Sequence, residues 1–123
     1  MRKVYIAHPL RGERLDIAEV ERNISRVTEL CRHVAEERSD VLILSPIHAF
    51  DFVSPLGPQD WVIRQCLALL DVINELWMFG NWKRSEGCRM EVSHARGTKK
   101  LILFEDGRVE GGQYERDAVE GAP

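Results

Sequence analysis

Four short apolar runs constrain this chain more than anything else in it. Residues 4–7 (Val-Tyr-Ile-Ala), 41–44 (Val-Leu-Ile-Leu), 76–79 (Leu-Trp-Met-Phe) and 101–104 (Leu-Ile-Leu-Phe) are continuous, and polar or turn residues bound each one. A strand with one wet face alternates apolar and polar residues. Continuous runs of this length predict strands covered on both faces, as in a parallel sheet. Helical periodicity fills the gaps between them. Ile17, Val20, Ile24, Val27, Cys31 and Val34 recur at steps of three and four, which predicts a helix over 15–38 with one apolar stripe. Val62, Ile63, Cys66, Leu67, Leu69 and Leu70 predict a second, well-buried helix. Residues 86–96 predict a third, with Gly97 as its C-cap. The order β-α-β-α-β-α-β calls for right-handed crossovers and helices on both sides of the sheet. The expected fold is therefore α/β: a doubly wound, flavodoxin-like or Rossmann-like sheet of four to five strands in three layers.

At 123 residues the chain has room for one domain and one core. We place that domain at 1–104 and read 105–123 as an acidic, glycine-containing, flexible tail. The tail carries six acids and two bases, a net of −4, which leaves +1 for the rest of a chain of formal charge −3. Neither part is a basic surface for a nucleic acid polymer. No run approaches the roughly 18 apolar residues of a membrane span. The segment Met1-Arg2-Lys3-Val4 enters a strand without the apolar region of a signal peptide, and the three cysteines, Cys31, Cys66 and Cys88, form no Cys-x-x-Cys pair. The expectation is a cytoplasmic protein with reduced thiols and no structural zinc.

A doubly wound sheet puts its ligand beyond the carboxyl ends of the strands, where the strand order reverses. Three loops fall there: 8–14, 45–59 and 80–87. The first, His8-Pro9-Leu10-Arg11-Gly12, combines a turn with arginine before a helix, which suits an anion or simply a solvated loop. In the third, Ser85 is an N-cap or a ligand contact. Gly87 costs helix stability in a first turn and lets a ligand approach the backbone. Glu91 follows Gly87 by four residues and shares its helix face, either in solvent or directly beneath a ligand. Trp82 stacks on a flat ring or anchors its loop on the core. His8 and His48 both follow strands and can point into one cleft for hydrogen bonding or acid–base work. A metal site built from His8, His48 and His94 or Glu91 lacks any recognised ligand spacing, and no metal is assigned.

Together these segments resemble the nucleoside 2-deoxyribosyltransferase superfamily, which includes the 2′-deoxynucleoside 5′-monophosphate N-glycosidases. The likeness is to its branch of small bacterial and phage proteins and spans roughly residues 3–104. It rests on Val4-Tyr5-Ile6-Ala7-His8-Pro9-Leu10-Arg11-Gly12, Leu67-Ala68-Leu69-Leu70, Glu75-Leu76-Trp77-Met78-Phe79-Gly80 and Ser85-Glu86-Gly87-Cys88-Arg89-Met90-Glu91-Val92-Ser93-His94-Ala95. The resemblance implies that Glu91 is the nucleophile on the sugar C1′ and that Tyr5 hydrogen-bonds it. It implies that the loop Leu10-Arg11-Gly12 and Ser85 hold a 5′-phosphate; the reading of the residues adds Gly87 to that support and His8, His48 and Trp82 as further substrate contacts. It implies cleavage or transfer of an N-glycosidic bond on a nucleoside or nucleotide and a homodimer or higher homo-oligomer; the apolar helix around 66–70 is the candidate packing face, and the expected chemistry needs no cofactor.

One position departs from the pattern. The catalytic relatives carry an aspartate where Cys66 stands, and Asp60 and Asp71 are out of register. His8 or His48 is then the candidate for the missing acid. Two other readings stay open: a non-catalytic nucleotide-binding sensor or accessory protein, and a metal-dependent phosphohydrolase using His8 and His48.

Overall fold

The structure is a computed structural model that describes residues 1–12 and 14–112. Its elements run β1 (Arg2–Ala7), α1 (Ile17–Glu37), β2 (Val41–Leu44), α2 (Pro46–Ala49), α3 (Asp60–Asp71), β3 (Glu75–Met78), a 3₁₀ turn (Trp82–Arg84), α4 (Glu86–Gly97), β4 (Leu101–Phe104) and β5 (Val109–Glu110). The sheet order is β2-β1-β3-β4-β5, with the first four strands parallel and β5 antiparallel to β4. The order reverses between β1 and β3, so the ligand position of a doubly wound sheet lies at their carboxyl ends.

The central strand is buried on both faces because it has helices on both. Val4 and Ile6 pack under α1 with Val34 and Val41. Tyr5 and Ala7 face the other way, into a larger core with Leu70, Leu76, Val92 and Ile102. The α1 stripe is narrower than its periodicity predicts. Val20, Val27 and Val34 are buried, whereas Ile17 and Ile24 are exposed, because one helix crossing two strands covers them along a single line. Asp16 caps α1, accepting a bond from the Ala18 N–H at 2.9 Å. In α3, Cys66 and Leu70 are buried in the core, and the partly buried Leu67 and Leu69 pack against it.

The structure differs from the expected elements in three places. Gly97 is the last residue of α4 and not its cap; Thr98 caps the helix and Lys99 takes the left-handed turn with φ 59°. The four-residue helix α2 escapes periodicity because it is too short to show any. The sheet continues past 104. Glu105-Asp106-Gly107 form the turn, with Gly107 at φ 93° and its N–H donating to the Phe104 carbonyl at 3.0 Å, and β5 pairs Val109 with Leu103 and Glu110 with Ile102. A three-residue loop that ends on glycine in the left-handed region is a hairpin signal that the acidic composition masks. The remainder of the expected flexible tail, 113–123, lies outside the described residues. No helix among the described residues is long and apolar enough to cross a membrane.

Candidate active site

A cleft of about 790 Å³ opens over the carboxyl ends of β1 and β3. That volume lies within the range of small-molecule sites. One wall is apolar, built from Phe50, Val53, Val62 and Ile63 of the β2–α3 loop and α3. The opposite wall is the start of α4. Ser85 caps this helix, its Oγ accepting from the Cys88 N–H at 3.2 Å. Gly87 sits in the first turn, where a Cβ would come 3.2 Å from Ile63 Cδ1. Its missing side chain therefore lets α3 close on α4 while keeping the cleft open between them.

Glu91 lies one turn deeper, at the floor, and is only 7% exposed. The Tyr5 hydroxyl, rising from the central strand, donates to Glu91 Oε2. Burial pushes the Glu91 carboxyl up to about 7, while the Tyr5 hydroxyl and the Cys88 thiol beside it favour the charged form. Burial, then the neighbouring Glu91 charge, raises Tyr5 well above the usual phenol range. The same two causes push the Cys66 thiol up to about 11 and raise Cys88. The floor is thus one ionisable carboxyl among groups that stay neutral near pH 7. Such a carboxyl is suited to attack a carbon or accept a proton.

The structure brings most of the predicted residues together. His8, Arg11, Gly12, Ser85, Gly87 and Glu91 all line the cleft. Tyr5 has no exposed surface, so it positions Glu91 and does not itself meet a ligand. Arg11 is partly engaged, its Nη1 donating to the Gly57 carbonyl at 3.2 Å and tying two cleft loops together.

Two predicted contacts are elsewhere. His48 is exposed on the α1 side, with Nδ1 2.6 Å from Ser45 Oγ and Nε2 2.8 Å from Thr28 Oγ1. The Pro46 start of α2 turns it away from the cleft. Trp82 packs on Phe104 with ring centroids 5.5 Å apart, beneath the Arg96 guanidinium at 5.8 Å. It anchors its loop on the core. His8 and His48 therefore do not converge, which removes the geometry of the phosphohydrolase reading. Among the described residues no three His, Cys, Asp or Glu side chains are placed to hold a metal ion.

Sequence reasoning missed Arg64 and Arg84, which line the cleft and form no ion pair among the described residues. It set Asp60 aside as out of register, and Asp60 opens α3 at the cleft. A helix start facing a strand end was the available signal. Cys66, 6% exposed, does line the cleft beside Tyr5 and Glu91.

No curated protein matches this chain. Residues 2–105 match the family described as a domain of unknown function, DUF7768, and the chain belongs to that family.

Proposed function

We propose that this protein cleaves or transfers the N-glycosidic bond of a (deoxy)nucleoside or nucleoside 5′-monophosphate through Glu91. The observation that carries the reading is the Glu91 carboxyl: buried at the floor of a nucleotide-sized cleft, hydrogen-bonded by Tyr5, and raised by burial to about 7. In this reading a Glu91 oxygen bonds to the sugar C1′ as the bond from C1′ to the base nitrogen breaks. The base leaves with the electron pair and takes its proton from water. A second water, or another base, then attacks C1′ and releases Glu91. Tyr5 aims the carboxylate, and Arg11 with Ser85 and Gly87 supports the far end of the substrate. The step needs neither metal nor organic cofactor. The reading includes a homo-oligomer, which sedimentation of the purified protein tests.

Cys66 favours a second reading, a nucleotide-binding protein without turnover. Its protonated thiol supplies no charge where the catalytic relatives have a carboxylate. Incubation with a panel of ribo- and deoxyribonucleosides and their 5′-monophosphates, followed by liquid chromatography, separates the two. Free base supports the enzyme. Intact nucleotide together with a raised melting temperature supports the binding protein. Neither effect with any member of the panel overturns both.

A further inference from the structure

We propose that His8 is a specificity-determining residue whose Nε2 accepts a hydrogen bond from a free hydroxyl on the sugar of the ligand. This rests on the nucleoside reading of the cleft. His8 follows β1 directly, lines the cleft and is 7% exposed. Its Nδ1 lies 2.7 Å from the Pro9 carbonyl oxygen, which can only accept. The ring proton is therefore on Nδ1, and Nε2 is left as a lone-pair acceptor. No side chain or backbone N–H among the described residues reaches Nε2. Burial lowers the affinity of the ring for a second proton, so the acceptor stays available near neutral pH. A buried acceptor without a donor is costly, and a ligand that supplies one recovers that cost.

Gly80 keeps this edge of the ring open. It holds φ 74°, and a Cβ there would lie 3.0 Å from His8 Nε2. Its own N–H is turned away, donating to Glu105 Oε1 at 2.8 Å. Glu105 in turn pairs with Arg26 at 2.6 Å, so the loops after β1, β3 and β4 are fixed around the imidazole.

The chemistry of the neighbourhood selects the donor. The apolar wall of Phe50, Val53, Val62 and Ile63 suits a planar base. The polar sugar then falls to the loop that carries His8. Pro9 has no N–H, and the one His8 ring proton is committed to Pro9. Arg26, whose charge reaches the ring, is paired with Glu105, so the free group at this corner is an acceptor, the reverse of what a phosphate oxygen needs. The sugar group that meets His8 is a hydroxyl, not a phosphate ester.

The test is a double-mutant cycle on binding. Equilibrium dissociation constants are measured by calorimetry for the tightest-binding nucleoside and for analogues lacking the 5′-, 3′- or 2′-hydroxyl one at a time. Wild type, His8→Phe and His8→Gln are compared. One analogue is expected to bind wild type about tenfold more weakly than its parent, the scale of one hydrogen bond. On His8→Phe the same pair is expected to bind equally. On His8→Gln, whose amide oxygen accepts, part of the difference is expected to return. Each comparison is made within one variant, so a general loss of stability cancels. Nucleoside binding with the same analogue ratio in wild type and His8→Phe overturns the role of His8 alone. Failure of every nucleoside and nucleoside 5′-monophosphate to bind wild type overturns the proposed function with it.

Discussion

Two glutamates are buried at opposite ends of this sheet, and they are held differently. Glu75 opens β3 and is 3% exposed. Arg2 reaches it with Nε at 2.9 Å and Nη2 at 2.5 Å, and the Trp77 indole donates at 2.7 Å. Glu91, 7% exposed at the other end, has a phenol and a thiol for neighbours and, among the described residues, no paired cation. A buried carboxylate with a guanidinium fork is fully engaged and locks strands together. One held only by neutral donors keeps a costly charge, and burial moves its ionisation toward neutrality. The first arrangement serves the fold; the second leaves a group free to react.

The largest stability effect separates the two directly. The folded protein holds a proton on Glu91 up to about pH 7, whereas an ordinary glutamate releases it near 4.5. Its contribution is therefore fully present below about pH 4.5 and is lost as pH rises through about 7. That window of pKa is worth up to about 3 kcal/mol. Glu91→Gln is expected to escape the loss, so its advantage in urea melts grows from pH 5 to pH 8. A constant difference across that range would place Glu91 in an ordinary environment.

Arg2→Ala tests the other end. It strips the cation from Glu75, and because the Arg2 side chain is 45% exposed, water offsets part of the penalty. A destabilisation of about 2 kcal/mol is expected at pH 7 in chemical denaturation. A change in base release beyond the stability loss would blur the distinction drawn here.

Tyr5→Phe is the smallest change. It removes a donor that favours the ionised Glu91. Base release at pH 7 is expected to fall about tenfold, with the rising limb of kcat/KM against pH moved to higher pH. An unshifted limb would show that Tyr5 does not set the Glu91 charge.

Much of this was legible in the residues. Continuous apolar runs mark the parallel strands, because a strand covered on both faces needs no polar side. The spacing of Ser85, Gly87 and Glu91 marks the helix that opens the cleft, because Ser85 caps its start and Gly87 and Glu91, one turn apart, share a face. His48 misled, since following a strand does not fix which way a short helix turns its side chains. Trp82 misled because its sequence neighbours do not reveal that Phe104, 22 positions on, lies beneath it. Arg2 and Glu75 are 73 positions apart, and only the parallel pairing of β1 with β3 brings their ends together. Proximity across the sheet is what a linear pattern leaves out.

The most direct measurement is the initial rate of free-base release by wild type and by Glu91→Gln, from the best nucleoside or nucleotide, followed from pH 5 to 9. The account predicts a wild-type rate that climbs through about pH 7 as Glu91 ionises. It predicts a Glu91→Gln rate lower by roughly three orders of magnitude or more, with ligand binding retained. Release by Glu91→Gln at a rate near wild type would contradict it.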